Sequence, residues 1–311
     1  MKQDLLTLKD WSKADLEQLL ALAKTIKANP QAYRKALDGL SVVALFEKPS
    51  LRTRVSFDIG IHKLGGHMVY LDSQSNKLAG REDVKDMGAN LACWADAIVA
   101  RVFAHSTLEQ LAEASKVPVI NALCDMYHPC QAVADYLTIS EYFDDLSQVK
   151  LAYIGDGNNV THSLMLVGVA LGCEVIVVTP PGYEVDQQIV ELTKQRAAQY
   201  GGKLTISNDI SAAIGAQVLY TDTWISMGDN TPLEQIKDVF KDYAIDEKLM
   251  ALTGAQYVMH CQPAHRDLEI SGSLIDSEQS LLMQQAENRM HGQNAILVKL
   301  LAANFKPANP L

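Results

Sequence analysis

Short apolar runs rich in Val, Ile, Leu and Ala punctuate the chain at near-regular intervals, and amphipathic stretches separate them. In the first half the runs cover 41–47, 67–71, 97–103 and 117–122, and in the second 149–154, 174–179, 203–207, 217–221 and 256–261. Apolar runs of this length, bounded by turn residues, are the pattern of strands buried on both faces of a parallel sheet. The stretches between them carry helical spacing. The first is announced by Ser12 with Asp15 three residues on, and Leu16, Leu19 and Leu20 follow on one face. Strands alternating with helices predict the α/β class: two similar lobes, each a parallel sheet flanked by helices. A helix starting near Pro129 and a fresh strand from 149 place the boundary between the lobes at 140–150. The expected ligand position is the cleft between the lobes, at the C-terminal ends of the strands.

Composition narrows the class of function. The 311 residues exceed the usual size of one domain, and a formal charge of −10 argues against a general nucleic-acid binder. No apolar run approaches the length needed to span a bilayer, so no membrane partner is expected. The charged start Met1-Lys2-Gln3-Asp4 has no signal-peptide core, and the expected location is cytoplasmic. The 5 cysteines are odd in number and form no CxxC pair, which supports neither a zinc site nor a disulfide framework.

The stretch with the densest chemistry is Phe46-Glu47-Lys48-Pro49-Ser50-Leu51-Arg52-Thr53-Arg54-Val55-Ser56-Phe57. A strand breaks at Pro49, and an amphipathic pattern starts at once with Val55, Phe57, Ile59, Ile61 and Leu64. Ser50 to Arg54 therefore fall in the first turn of a helix, where backbone N–H groups lack helical partners and the dipole is positive. Two hydroxyls and two guanidiniums there make an anion cradle, a phosphate site without a P-loop. The structural alternative is a Ser cap followed by surface arginines.

The other strand ends are equally polar. Arg101 closes one strand. His128 precedes Pro129 at a helix start with Gln131 one turn on, a pair able to meet the oxygen and nitrogen of a carboxamide, or else a simple helix cap. Gly155-Asp156-Gly157-Asn158-Asn159 invites a dinucleotide reading, which fails: Val160 stands at the third glycine, and the next strand runs into Thr179-Pro180-Pro181 without the ribose-binding acid. Asp222 suits an ammonium group or a turn. Cys261 lies beside His260 and before Pro263, as a reactive thiol or as a structural one.

Taken together and in this order, Ser50 to Arg54, Arg101, His128-Pro129-Cys130-Gln131, the Gly155 to Ser163 turn, Asp222 to Gly228, His260 to Pro263 and Ala286-Glu287-Asn288-Arg289 resemble the aspartate/ornithine carbamoyltransferase family over essentially the whole chain. The resemblance implies a carbamoyl phosphate-binding domain over 1–145, an ornithine-binding domain over 146–286 and a C-terminal segment 287–311 whose helix, 287–303, crosses back to the first lobe. It implies that Ser50, Leu51 (through its backbone), Arg52 and Thr53 hold the phosphate, and that Thr53, Arg101 and His128 grip the carbamoyl oxygen. Gln131 and the backbone carbonyls of Cys261 and Gln262 take the carbamoyl NH₂, with Arg289 nearby. Asn159, Asp222, Ser226 and Met227 bind ornithine, with Asp222 and Cys261 facing its δ-amine. The implied reaction is direct attack of that amine on carbamoyl phosphate in a ternary complex, giving citrulline. Arg101, His128, Asp222 and Cys261 are its catalytic residues, and neither cofactor nor metal is called for. The family assembles as trimers or multiples of them, with the loop that is here 72–85 reaching into a neighbour's site.

Two positions depart from the family pattern. Leu51 replaces the usual Thr, and Gln262 replaces the usual Leu before Pro263, at an X–Pro bond that is typically cis in relatives. Asp222, an anion suited to an amine, favours ornithine over aspartate, whose second carboxylate needs cations, and the Ser226-Met227-Gly228 run and the Asn158-Asn159 pair resemble the ornithine type. A putrescine or N-acetylornithine enzyme stays open, as does a non-catalytic amino-acid binder. A nucleotide-dependent oxidoreductase is disfavoured by the failed fingerprint.

Overall fold

The computed structural model describes residues 3–72, 82–224 and 232–307. The chain forms two compact units: one comprises the residues up to Leu137 together with those from Asn288 onwards, the other Thr138–Glu287.

The first unit runs α1 (Lys13–Ala28), β1 (Ser41–Phe46), α2 (Leu51–Lys63), β2 (His67–Asp72), α3 (Val84–Leu91), β3 (Ala97–Arg101), α4 (His105–Ala114), β4 (Val119–Leu123) and α5 (Pro129–Tyr142), the last of which continues into the second unit. Its strands are all parallel, in the order β2-β1-β3-β4. From β1 the connections run one way to β2 and then back past β1 to β3. The ends of β1 and β3 thus flank the switch point, where open α/β sheets bind ligands. Phe46 pairs with Arg101 in that register, which sets Arg101 beside the entry to α2. The strands formed because their side chains are buried on both faces: every residue of β3 is buried, and only Ser41 of β1 is not fully so. The start of α1 carries the reciprocal Ser12–Asp15 capping box that its sequence predicts.

The second unit continues with β5 (Lys150–Ile154), α6 (Asn159–Leu171), β6 (Glu174–Val178), α7 (Gln187–Tyr200), β7 (Lys203–Ser207), β8 (Val218–Thr221), α8 (Leu233–Phe240), α9 (Glu247–Thr253), β9 (Tyr257–His260), the single turn α10 (Gly272–Ile275) and the start of α11 (Leu282–Leu301), which belongs to the first unit from Asn288 onwards. Its strands are again parallel, in the order β7-β6-β5-β8-β9. The switch point falls between β5 and β8. Thr221 pairs with His260, so the residues that follow them, Asp222 and Cys261, leave the sheet side by side. Helix α6 is buried from Val160 to Leu171, as its apolar sequence requires, and ends at Gly172 in the left-handed region (φ 94°).

Most strand bounds shift by a residue, and shifts of two or more fall at the end of β3 (Arg101, not 103), the start of β4 and both ends of the last helix. Strand β4 starts at Val119 rather than 117, after Pro118, which has no N–H to give to a ladder. The last helix starts at Leu282, not at 287: residues 282–286 are strong helix formers, and Leu281 and Leu282 are buried.

Candidate active site

In the first unit the side chains converge on one hydroxyl. Ser50 caps α2, its Oγ accepting from the Thr53 N–H at 3.4 Å and lying 3.0 Å from Thr53 Oγ1. Thr53 is fully buried. Its Oγ1 accepts from Arg289 Nη2 at 2.9 Å and, more loosely, from Arg101 Nη1 at 3.5 Å. Both arginines are buried. Two guanidiniums sharing a neutral acceptor repel each other, and an anion bound beside them relieves that repulsion.

His128, also buried, sits in the same field. Its burial, reinforced by Arg289 and Arg101, holds its pKa well below the ordinary histidine value. It is therefore a neutral imidazole, a donor or acceptor rather than a cation. Gln131 follows one turn later, its Nε2 donating to Asp135 Oδ1 at 2.7 Å. A carboxylate only accepts, so this contact orients the amide and leaves Gln131 Oε1, buried and without a hydrogen-bond partner among the described residues, as an acceptor for an N–H group. Leu51 and Arg52 are exposed at the start of α2. Leu51 leaves only its backbone available there, with its side chain 75% exposed. The guanidinium of Arg54 instead stacks over the Tyr70 ring at 4.0 Å.

The adjoining loop adds Lys48, whose ammonium lies 4.5 Å over the Phe103 ring. Partial burial, and then Arg101, lower its pKa. The thiol of Cys130, deeply buried, is pushed up to about 12, so it stays protonated and serves as packing, donating to Asn121 O at 3.4 Å.

In the second unit Asp222 is the centre. Cys261 Sγ donates to its Oδ1 at 2.6 Å, the Thr223 N–H to the same oxygen at 2.7 Å, and Asn158 Nδ2 to Oδ2 at 3.0 Å. Asn158 is held by its own work as the cap of α6, its Oδ1 accepting from the N–H groups of Val160 and Thr161. Burial, then the Asp222 charge, keep the Tyr153 phenol protonated by raising its pKa well above the usual value. Asn159 is half-buried at the first position of α6. Gln262 has φ 60°, and the Gln262–Pro263 bond is cis.

The structure thus gathers Ser50, Thr53, Arg101, His128, Gln131 and Arg289 in the first unit. In the second it gathers Asp222, Cys261 and Gln262, with Asn159 next to Asn158. Ser226 and Met227 lie outside the described residues, as do 73–81 of the 72–85 loop. The role of Gly157 is structural: a Cβ there would lie 2.5 Å from Val185 N and 2.6 Å from Glu184 C, so a backbone crossing requires the glycine. Sequence reading passed over Asp135, Asn158, His260 and Glu269 as orienting partners. Asp135 was the one with a local signal, four residues after Gln131 on a helix.

Among the described residues one cluster, Asp222, His260 and Cys261, has ligand atoms within 4.8 Å of one another. Those atoms are already engaged. The thiol is given to Asp222, Nδ1 of His260 accepts from the Gln262 N–H at 2.8 Å, and Nε2 faces Glu269 Oε1 at 3.2 Å.

An anion cradle at a helix start on one parallel α/β unit, and a carboxylate–thiol–amide group suited to an amine on another, give the chain the chemistry to recognise two small ligands. Comparison with known proteins makes the class specific. The family model for the carbamoyl-P binding domain of aspartate/ornithine carbamoyltransferase matches residues 3–141, and that for its Asp/Orn binding domain matches 147–300. The ornithine carbamoyltransferase of Vibrio sp. (strain 2693) is 57% identical over 299 residues, covering 96% of this chain and 99% of that protein. That of Shewanella oneidensis is 58% identical over 297 residues, with 96% and 99% covered. The solved ornithine carbamoyltransferase from Pyrococcus furiosus superposes with a TM-score of 0.93 at 41% identity, covering 98% of each chain. The chain belongs to the aspartate/ornithine carbamoyltransferase family.

Proposed function

We propose that the protein transfers the carbamoyl group of carbamoyl phosphate to the δ-amine of L-ornithine, giving L-citrulline and phosphate. The observation that carries the first substrate is the convergence of Arg101 and Arg289 on Thr53 Oγ1, at the start of α2 and beside a neutral His128. Ser50, Arg52, Thr53 and the Leu51 N–H hold the phosphate. Arg101, His128 and Thr53 polarise the carbamoyl oxygen, and Gln131 Oε1 accepts from its NH₂. The carbonyls of Cys261 and Gln262 are the further acceptors for that NH₂.

Ornithine is read by Asn159, Asp222, Ser226 and Met227. Its δ-ammonium faces Asp222 and Cys261 and must lose a proton before it attacks. The amine nitrogen then bonds to the carbamoyl carbon, charge collects on the carbonyl oxygen under Arg101 and His128, and the bond to the phosphate oxygen breaks. The proton lost before attack passes to solvent, and the second, lost from the nitrogen as the C–N bond forms, is taken up by the leaving phosphate. No enzyme-bound acyl group is needed once both substrates are aligned.

A homotrimer, or a multiple of one, is the assembly we assign, with the 72–85 loop reaching a neighbour's site. Leu51, Val55 and Ile59 support it: spaced four apart along α2, they are 75%, 42% and 44% exposed, an apolar stripe a monomer has little use for.

The test is ureido-product formation from carbamoyl phosphate with ornithine, putrescine, N-acetylornithine and aspartate in parallel. Product with ornithine alone is the expected result. Preference for another of these amines keeps the family and overturns the ornithine assignment.

A further inference from the structure

The second unit contains a buried pair that the reaction does not touch, Glu269 and His260. Glu269 is fully buried in the loop after β9, and His260, at the end of β9, is 1% exposed. One carboxylate oxygen, Oε1, accepts from the His265 N–H at 2.6 Å, lies 3.4 Å from His265 Nδ1, and faces His260 Nε2 at 3.2 Å. On the other side of the His260 ring, Nδ1 lies 2.8 Å from the Gln262 backbone nitrogen. A backbone N–H can only donate, so Nδ1 is the bare nitrogen of the ring. The proton therefore sits on Nε2, where the carboxylate accepts it. The contacts fix the tautomer without reference to any titration.

What the ring holds is an unusual backbone. Gln262 is a non-glycine residue in the left-handed region, at φ 60°, a conformation that persists only when its surroundings over-determine it. The His260–Gln262 hydrogen bond spans Cys261, ends on the nitrogen of Gln262 itself, and closes the turn that carries the Cys261 and Gln262 carbonyls. The same β9 end is fixed from behind, where Gln285 Oε1 accepts from the His260 N–H at 3.0 Å.

We propose that Glu269 and His260 are positioning residues for carbamoyl transfer: Glu269 sets the His260 tautomer, and His260 Nδ1 holds the Cys261–Gln262 carbonyls where they receive the carbamoyl NH₂. The proposal rests on the reading of those carbonyls given above. Neither side chain touches substrate.

The experiment compares His260→Ala, His260→Asn and Glu269→Gln with the unaltered protein at matched folded fraction, following kcat, KM for each substrate and the ¹⁵N shifts of His260. The Asn side chain places an acceptor oxygen close to the position of Nδ1 but fills little more of the ring's volume than Ala does. His260→Ala is expected to lower kcat about tenfold to a hundredfold, and His260→Asn to recover most of that loss at a stability near that of the Ala variant. Glu269→Gln, which can still accept from Nε2–H, is expected to retain the Nε2–H tautomer and a kcat within about threefold of the unaltered protein. An Asn variant no better than Ala, or an Nδ1–H tautomer in the unaltered protein, overturns the proposal. The tautomer is read without substrate. If the unaltered protein fails to carbamylate any amine, it is the functional reading that fails, while the ¹⁵N shifts still decide the tautomer.

Discussion

Thr53 carries no charge, yet two buried guanidiniums meet at its hydroxyl, and that arrangement separates residues that bind from residues that hold the fold. Arg52, one position earlier, is exposed. Arg52→Ala should therefore leave stability within about 0.5 kcal/mol while weakening carbamoyl phosphate at least about tenfold through lost charged hydrogen bonds. Calorimetric titration beside a denaturant melt checks both halves, and near-normal turnover in the variant would sink the cradle assignment. His128 makes the complementary prediction. Burial keeps it neutral in the folded protein, whereas in the unfolded chain it titrates near 6.5. Below that value the unfolded state binds the extra proton, so stability falls as pH drops through the window beneath 6.5, by up to about 1.4 kcal/mol per pH unit from this group. His128→Gln should remove that contribution, seen as a flatter stability profile on the acid side in denaturant melts. An unchanged slope would mean that His128 is not held neutral.

At the scale of elements, the strands were legible and the partners of the site were not. Parallel strands buried on both faces leave a continuous apolar record, so the observed strand ends lie within about two residues of those read from the sequence. The starts of α1, α2 and α5 were legible for another local reason, Ser12, Ser50 and Pro129 being terminal signals that act within one turn. The orienting contacts are mostly of another kind. Asn158 reaches Asp222 across 64 positions, and Arg289 reaches Thr53 across 236. No periodicity records such pairs, because only the strand register brings them together. Arg289 was named through family resemblance, and Glu269, within the loop after β9, was not named at all. The glycine turn after β5 was half legible: the sequence showed that it is not a dinucleotide loop, but not that a neighbouring chain segment crosses it. Gly157→Ala should accordingly cost about 1–3 kcal/mol, since the obstructing atoms at Val185 and Glu184 are backbone and cannot rotate away. A thermal melt shifted by less than about 2 °C would show that the crossing can relax.

For the molecule as a whole, the two sheets repeat one plan, a switch point with chemistry at the ends of its central strands. The proposed assembly is tested on α2, where Val55→Lys with Ile59→Lys sets charge on the exposed stripe. Sedimentation velocity should show a trimer or larger for the unaltered protein and smaller species for the double variant; a monomer in both would remove the assembly proposal. The division of the chain has a further consequence. Residues from Asn288 onwards belong to the first unit, and Arg289 supplies the closer of the two guanidinium contacts to Thr53. A ribosome working from the N-terminus therefore makes β1 to β4 early, but must translate the whole intervening unit before that arginine emerges. The anion cradle of the first unit is finished only near the end of synthesis, and a nascent chain stalled anywhere before codon 289 holds one guanidinium of the pair and not the other.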